Sequence, residues 1–492
     1  MTASPPLVQT RAGAVRGVWR GGSAAFLGIP FAQAPVGALR FAAPQPTTAW
    51  QGILDAAEPG PTPQRRPFGD VTTIPEPSYP GEATLNLNVF TPAPRTQQDG
   101  LPVLVWIHGG GFFAGSPSSP WYDGASYNRD GVVTVSLSYR LGFDGFGWIA
   151  DAPTNRGLRD LVVGLEWVRD NIAAFGGDPG RVTIAGQSAG GAAALALLTS
   201  PLANGLFSQV IAHSAPHLSM DMGKAEQVGR ALALAVGVEP TRAGWSALSE
   251  DDVLDAQAAL MAPPDEPPVS GVAYVREALA SGRTRLPFVP LTGDDLLPDD
   301  ILHAVRSGSG FAKPVLAGTV AHEFTLTTMG FRSAWSGSDA VQVLTEGGLR
   351  LPTVQQYVAG HPELTSTADI CGQLDTELTF RIPLLAFADS RPDNTWLYDF
   401  RWPAPGLGLS IHCLELPFTW DLLGSDGVTA VAGENPPQEL ADAMHSAWVR
   451  FIKTGDPGWP MWREGVSRVF GAEQAETYAS TRILARAPDA LT

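Results

Sequence analysis

The sequence predicts an α/β protein whose central, mostly parallel sheet is covered by helices on both faces. Two patterns indicate this fold class. Short apolar runs without polar alternation are typical of strands buried on both faces, and segments of helical periodicity separate these runs. No repeat of solenoid length appears in the 492 residues. The apolar runs lie at residues 102–107, 132–139, 181–186, 313–319 and 395–402.

The segment between the second and third runs predicts an amphipathic helix. Its apolar residues recur three or four positions apart, at Leu158, Leu161, Leu165, Val168 and Ile172. Gly176 and Gly177 then predict its end, because glycine is favoured just beyond a helix C-terminus. Further helices are predicted at residues 224–238, 249–261 and 437–455. We expect a single domain over residues 1–492, with helical cap insertions at about 217–310 and 325–390.

Composition argues against several kinds of partner and site. A net charge of −17 and a pI near 4.9 disfavour binding to nucleic acid, because an acidic surface repels phosphate. The sequence lacks a run of 18 apolar residues, so we expect no transmembrane helix and no membrane partner. Two cysteines, Cys371 and Cys413, are too few for a disulfide scaffold or a thiolate zinc site. We expect free thiols in a reducing, cytoplasmic compartment, with one bridge between them as the alternative.

The stretch "AGQSAGG" at residues 185–191 contains a candidate nucleophile, Ser188. A predicted strand precedes it and a predicted helix follows, which is the context of a strained strand-to-helix turn that exposes a serine hydroxyl. Gly186 and Gly190 meet the steric demand of such a turn. The helix N-terminus also favours developing negative charge. The alternative is an ordinary glycine turn, because 54 glycines make a chance G-x-S-x-G plausible.

The stretch "WIHGGGFFAG" at residues 106–115 predicts a pocket for an oxyanion. Three glycines after a strand let backbone N–H groups approach a ligand with no Cβ in the way, and this loop supplies such donors in folds of this kind. The alternative is a flexible connection. Phe112 and Phe113 follow the glycines and are candidates either for lining a substrate pocket or for ordinary core packing.

A serine nucleophile needs a histidine as base and an acidic residue that orients the base. In folds with a strand-to-helix nucleophile turn, the chain order is serine, then the acid, then the histidine. His412 lies after the run 395–402, and Glu323 lies after the run 313–319, so both belong to the carboxyl ends of strands. Glu415 is the rival acid, although its place three residues after His412 favours a local structural role. Histidines expected instead in surface, turn or packing positions are His303, His361 and His445.

Taken together, the ordered motifs resemble the type-B carboxylesterase family of the α/β-hydrolase fold, to which cholinesterases and bacterial p-nitrobenzyl esterases also belong. The resemblance extends from about residue 8 to about residue 465. Eight motifs occur in family order, at residues 26–46, 82–92, 106–115, 138–146, 171–191, 317–324, 411–418 and 451–460.

The resemblance implies a serine carboxylesterase that acts through an acyl-enzyme on a small ester and needs no metal or cofactor. It implies a catalytic triad of Ser188, Glu323 and His412. Further roles are implied for the oxyanion donors Gly110, Gly111 and Ala189, and for Ser214, which would support the triad from behind. A carbamate or aryl-amide hydrolase with the same triad is the alternative, and a non-catalytic binding module is a more remote one. The sequence does not indicate an oligomeric state.

The sequence also departs from the family pattern. Gln187 stands where many relatives have glutamate, and we expect it at the pocket rim with little effect on the triad. Ala83 and Thr84 replace the Asp-Cys pair of secreted relatives, which removes a family disulfide. Residues 51–105 contain no tryptophan for stacking on a quaternary ammonium, so choline esters are not predicted substrates. "AHEF" at 321–324 replaces the more usual Arg-Asp-Glu-Gly, so the acid loop is expected to differ in detail.

Overall fold

A computed structural model of the protein describes residues 4–67, 72–92, 94, 100–262, 270–280, 286–473 and 478–485. Within these ranges no helix is both long enough and apolar enough to cross a bilayer. Cys371 and Cys413 are both buried and both free, which confirms the expectation of two thiols.

Fifteen strands are assigned in the described residues, ten of which form one mixed sheet. The strands are β1 Leu7–Gln9, β2 Ala14–Arg16, β3 Val18–Arg20, β4 Ser23–Pro30, β5 Ile53–Asp55, β6 Asn86–Thr91, β7 Leu101–Ile107, β8 Val133–Leu137, β9 Gly177–Gln187, β10 Gln209–His213, β11 Met220–Asp221, β12 Leu291–Thr292, β13 Val315–Val320, β14 Thr395–Phe400 and β15 Ser467–Phe470. The large sheet has the order β15-β14-β13-β10-β9-β7-β8-β6-β4-β3. Its strands are parallel from β15 to β8 and antiparallel from β8 to β3.

The predicted α/β fold class is confirmed, and each of the five apolar runs coincides with a parallel strand: β7, β8, β9, β13 or β14. Strand β7 shows why these runs lack alternation. Val103 and Val105 enter one hydrophobic core, whereas Leu104 and Trp106 enter a second core on the other face of the sheet. A strand with a core on each face has no position for a polar side chain in contact with solvent.

Helices cover both faces of the sheet. They are α1 Ala125–Arg129, α2 Gly142–Phe146, α3 Arg156–Asn171, α4 Ala189–Thr199, α5 Met222–Val236, α6 Arg242–Ser246, α7 Glu250–Met261, α8 Gly271–Ala280, α9 Ile301–Arg306, α10 Ala340–Glu346, α11 Leu351–Ala359, α12 Thr367–Thr376, α13 Ile382–Ser390, α14 Leu416–Thr419, α15 Val428–Ala432, α16 Gln438–Thr454 and α17 Ala479–Ala485. The predicted amphipathic helix is α3, which is followed by a 3-10 turn at Ile172–Phe175, and Gly176 ends this turn with φ 88°. Ser249 and Asp252 form a reciprocal capping box at the start of α7.

The segments predicted as insertions are mostly helical where the structure describes them. Helices α5–α9 occupy most of the first segment, and α10–α13 occupy the second. The second segment contributes most of a third hydrophobic cluster, in which Leu344, Val354 and Leu374 are buried. The organisation as a single domain with a cap stays a prediction.

The carboxyl ends of the central parallel strands converge on one edge of the sheet. Residues 108–111 follow β7, Ser188 follows β9, and Ser214 follows β10. Glu323 lies three residues beyond β13, and the chain reaches His412 after a loop that leaves β14. Parallel strand order therefore collects residues from distant parts of the chain at one place.

A buried ion pair fixes the first loop beyond β8 to helix α3. Arg140 donates from Nη2 to Asp160 Oδ1 at 2.7 Å and from Nε to Asp160 Oδ2 at 2.9 Å. Its Nη1 also donates to the carbonyls of Arg40 and Ala42. Both side chains of the pair are buried, so each charge depends on the other for compensation.

Replacing Asp160 with alanine should lower the free energy of unfolding by about 3–5 kcal/mol, because it leaves a buried guanidinium without its carboxylate. The matched control is Asp55→Ala, which removes an exposed ion pair with Arg16 and should cost at most about 1 kcal/mol. Urea denaturation followed by tryptophan fluorescence measures both. Equal losses in the two variants would contradict the structural role of the buried pair.

Candidate active site

Ser188 lies in a strained turn between β9 and α4. Its backbone has φ 56° and ψ −123°. Residues other than glycine rarely adopt this conformation, which costs on the order of 1–3 kcal/mol. The turn is crowded. A Cβ on Gly186 would lie 2.3 Å from the carbonyl of Gly190, and a Cβ on Gly190 would lie 2.0 Å from the carbonyl oxygen of Ile107. The two glycines are therefore a steric condition for the turn, as the sequence predicted.

The glycine loop after β7 lies beside this turn. A Cβ on Gly109 would come 3.3 Å from the Cβ of Ser188. Gly110 has φ 102° and Gly111 has φ 60°, so the loop uses the conformational freedom of glycine at both positions. No described residue accepts a hydrogen bond from the N–H of Gly110, Gly111 or Ala189. Three backbone donors are thus available next to the serine.

Several contacts hold the glycine loop in place. Ala114 N–H donates to the Gly110 carbonyl at 2.9 Å, which closes the loop on itself. Gly115 N–H donates to Gln64 Oε1 at 2.6 Å. The His108 ring stacks on Tyr139 with centroids 4.6 Å apart. Fixed donors cost little reorganisation when charge develops near them.

Glu323 and His412 meet in a short hydrogen bond, 2.5 Å between Glu323 Oε2 and His412 Nδ1. The second carboxylate oxygen accepts from Val320 N–H at 2.9 Å, which orients the carboxyl group. The Glu323 side chain is 0% exposed and the His412 side chain 20%. The rings of Phe324 and Phe380 flank the imidazole, with centroids 5.3 and 5.1 Å away.

The charge on Glu323 governs the imidazole. Burial opposes protonation of His412, but the adjacent Cys413 and Glu323 favour it, and the pKa of His412 is raised well above its ordinary value. Burial also raises the pKa of the Cys413 thiol, so this thiol is uncharged at neutral pH. Glu323 is therefore the neighbour whose charge stabilises the imidazolium.

The expected position of Gln187 at the pocket rim was wrong, while its expected small effect on the triad stays a prediction. This residue is 1% exposed and does not lie at a pocket rim. Its side-chain Nε2 lies 3.1 Å from His412 Nε2. Because His412 Nδ1 donates to Glu323, Nε2 of the neutral ring is the acceptor, and the amide of Gln187 donates to it. Gln187 therefore favours the neutral imidazole. The signal available in the sequence was its position directly before Ser188, which points its side chain towards the same edge of the sheet.

Three buried polar residues, His213, Ser214 and Glu415, lie behind the serine. Ser214 was expected from the sequence to have a supporting role, and Glu415 was named as the rival acid. Ser188 N–H donates to the His213 carbonyl at 2.9 Å, and Ser214 N–H donates to Gly318 at 2.8 Å. Ser214 Oγ is buried and has no hydrogen-bond partner among the described residues. Glu415 is 3.5 Å from His213 Nδ1 and forms no hydrogen bond with His412. The rival acid is thus directed to a different histidine.

The remaining histidine candidates lie in other environments. The His303 side chain is 65% exposed on α9. His361 Nδ1 contacts Glu363 at 3.1 Å. His445 contacts the Thr419 carbonyl and Asp130, which is a packing role.

The two phenylalanines after the glycines take different places. Phe112 is 0% exposed and packs on Phe146 with centroids 4.7 Å apart, so it follows the core alternative. Phe113 is half-buried and lines a cavity of about 630 Å³. Apolar lining also comes from Leu141, Phe143, Val253, Leu254 and Met261. Ser188, His412 and residues 109–111 are not part of this lining, but the ring of Phe113 lies against Gly111 and so connects the cavity to the glycine loop.

Comparison with known proteins identifies the family. A model of the carboxylesterase family matches residues 4–480. The chain is 33% identical over 486 residues to a para-nitrobenzyl esterase of Bacillus subtilis, covering 93% of each protein. It is 32% identical over 508 residues to a phenmedipham hydrolase of Pseudarthrobacter oxydans, covering 98% of each.

Solved structures agree with the sequence comparison. The crystal structure of a Geobacillus stearothermophilus carboxylesterase matches with a TM-score of 0.81 and 30% identity, over 97% of this chain and 99% of that one. A para-nitrobenzyl esterase structure matches with a TM-score of 0.77 and 32% identity over 93% of each chain. The protein therefore belongs to the carboxylesterase family and is a serine carboxylesterase with the α/β-hydrolase fold.

Proposed function

We propose that Ser188 is the nucleophile of this esterase, His412 its general base and acid, and Glu323 the carboxylate that orients the base. We further propose that the N–H groups of Gly110, Gly111 and Ala189 bind the oxyanion, and that Ser214 supports the triad from behind. These roles are the ones the family resemblance implies for residues at these positions.

One observation carries the proposal: the two sides of His412 are engaged by the acid and by the residue next to the nucleophile. Nδ1 is bonded to Glu323 at 2.5 Å, and Nε2 faces the side chain of Gln187, the residue before Ser188, at 3.1 Å. This arrangement supports a proton path from Ser188 to Nε2, with the negative charge of Glu323 at the opposite nitrogen.

The reaction follows from these positions. The Gln187 amide releases its hydrogen bond to His412 Nε2, and the Ser188 hydroxyl donates to this nitrogen instead. Ser188 Oγ then attacks the ester carbonyl as His412 takes the hydroxyl proton. We infer that the N–H groups of Gly110, Gly111 and Ala189 bind the oxygen that becomes negative, at the N-terminus of α4. His412 then protonates the leaving alcohol, and water repeats the sequence on the acyl-enzyme. Glu323 stabilises the imidazolium in both halves of the reaction.

The cavity beside Phe113 supports a bulky group on one side of the ester. Its volume of about 630 Å³ is within the range of pockets that hold small molecules. The same triad would attack a carbamate or an aryl amide, so turnover of a phenyl ester is to be compared with turnover of the matched phenylcarbamate.

A cytoplasmic location is part of the proposal and is supported by two cysteines that remain thiols.

Replacing Ser188 with alanine should lower kcat for p-nitrophenyl acetate at least about 10⁴-fold, because it removes the proposed nucleophile. The matched control is Ser200→Ala at the other end of α4, where the hydroxyl has no hydrogen-bond partner among the described residues. This control should retain activity. Full activity in Ser188→Ala would reject the nucleophile assignment.

The pH profile tests the acid. Because the pKa of His412 is raised, its neutral form is lost as pH falls through that raised value, and kcat/KM should decline on the acid side at a pH above about 6.5. Glu323→Gln removes the charge that favours the imidazolium. The acid limb should then move to lower pH while kcat falls about 10³–10⁴-fold. An acid limb that stays at the wild-type pH would count against the assignment of Glu323.

Gln187→Glu tests the contact at Nε2. A carboxylate at 3.1 Å from the imidazole should stabilise its charged form and move the acid limb of kcat/KM upward by about 1 pH unit or more. Gln187→Met keeps the size of the side chain without a donor or a charge and is the control for packing. A profile of Gln187→Glu that superimposes on the wild-type profile would show that this side chain does not govern the base.

A further inference from the structure

We propose that His322 is a positioning residue that fastens the loop carrying His412 to the loop carrying Glu323. The acid loop comprises residues 321–324 and the base loop residues 408–413. This proposal rests on the roles proposed above for Glu323 and His412, and it concerns how these two side chains are brought together.

The chain needs a fastening at this point because strand pairing ends before the two residues meet. Strands β13 and β14 pair in parallel up to Val320 and Phe400, and Ala321 N–H still donates to the Phe400 carbonyl at 2.9 Å. Beyond Phe400, Arg401 N–H still donates to the Phe470 carbonyl of β15 at 2.8 Å, but the chain then leaves the sheet and returns at Ser410. Regular sheet hydrogen bonding therefore does not fix where His412 lies relative to Glu323.

His322 bonds the returning chain from both its backbone and its side chain. Its N–H donates to the Ser410 carbonyl at 2.9 Å, and its Nδ1 accepts from Ser410 N–H at 3.1 Å. A parallel bridge between His322 and Ile411 forms at the same place. His322 directly precedes Glu323, and Ser410 lies two residues before His412. His322 thus spans the gap next to the 2.5 Å contact of the acid with the base, while the bond from Ser410 Oγ to the Phe400 carbonyl at 3.1 Å ties the returning chain to β14.

The His322 side chain provides an acceptor for Ser410 N–H, which the backbone N–H bond of His322 does not. Ser410 is completely buried, so its N–H would lack an acceptor without Nδ1, and an unpaired buried donor favours local rearrangement. Any residue at position 322 would keep the backbone N–H bond. Only a side chain with an acceptor at the distance of Nδ1 satisfies both groups of Ser410.

The other side of the imidazole is also held. Since Nδ1 is an acceptor, the proton of the neutral ring lies on Nε2, which faces Glu363 Oε1 at 3.5 Å. Glu363 is shared with His361 Nδ1 at 3.1 Å. Burial disfavours the charge on Glu363, but the two histidines outweigh it and hold its pKa well below the ordinary range. A charged carboxylate therefore fixes the tautomer and the orientation of His322.

The experiment compares His322→Asn, His322→Gln and His322→Leu in the full chain. Asparagine places an acceptor near the position of Nδ1, glutamine extends past it, and leucine has none. We expect kcat for p-nitrophenyl acetate and the rate of the acylation burst to fall about 10–100-fold in the Gln and Leu variants. KM should stay within about twofold, because the substrate pocket is untouched, and His322→Asn should recover kcat to within about threefold. The control is His303→Leu, which removes an exposed histidine from α9.

The results separate this inference from the proposed function. If the wild-type protein neither hydrolyses the ester nor reacts with a fluorophosphonate probe at Ser188, the proposed function fails. If the wild type is active and the Gln and Leu variants keep its kcat, His322 does not position the base. A loss that asparagine does not recover, or a parallel loss of kcat, substrate affinity and melting temperature in all three variants, would also overturn the proposal, because it would indicate a structural role alone. The Asn and Gln variants are both polar and neutral, so their comparison holds even if His322→Leu does not fold.

Discussion

The turn at Ser188 is the constraint on which the site depends. The chain passes from the central strand β9 into α4 within a single residue whose backbone is strained, and α4 lies so close to β7 that no Cβ fits at Gly190. This close approach places the first N–H of α4, the glycine loop and the serine hydroxyl within one small region. Every residue of α4 is buried in the core, and this packing offsets the energetic cost of the strained backbone at Ser188.

The proposed acid and base come from much less regular parts of the chain. Glu323 follows its strand closely, whereas His412 arrives after a loop, and their meeting depends on individual hydrogen bonds rather than on sheet register. Two neighbours act on the two ring nitrogens of His412 in opposite directions. Gln187 contacts Nε2 of His412 and favours the neutral ring, while Glu323 at Nδ1 favours the charged one. In the proposed mechanism, we expect the balance between these two neighbours to influence the pH at which His412 is available as the base.

The sequence predicted the parts of this protein that follow from strong periodicity or from steric necessity. Strands buried on both faces, the helix Arg156–Asn171 and the glycines around Ser188 each leave a pattern that few other arrangements share. Strand β10 and the antiparallel strands β6, β4 and β3 were not predicted. Strand β10 has only three consecutive apolar residues, Val210–Ala212, and β6 contains the buried polar residues Asn86 and Asn88, so neither forms a long apolar run. The contacts of Gln187 and His322 were beyond reach for another reason: each depends on where a side chain ends in three dimensions. Both residues stand at positions where the sequence departs from its family, which marked them without revealing what they do.

Formation of an acyl-enzyme on Ser188 is the step on which the other proposed roles depend. Intact-protein mass spectrometry of the enzyme, quenched in acid during hydrolysis of p-nitrophenyl acetate, tests this most directly. The account predicts a mass increase of one acetyl group, located by peptide mapping on Ser188 and absent from Ser188→Ala. An acetyl group found on another residue, or equally abundant in Ser188→Ala, would contradict it.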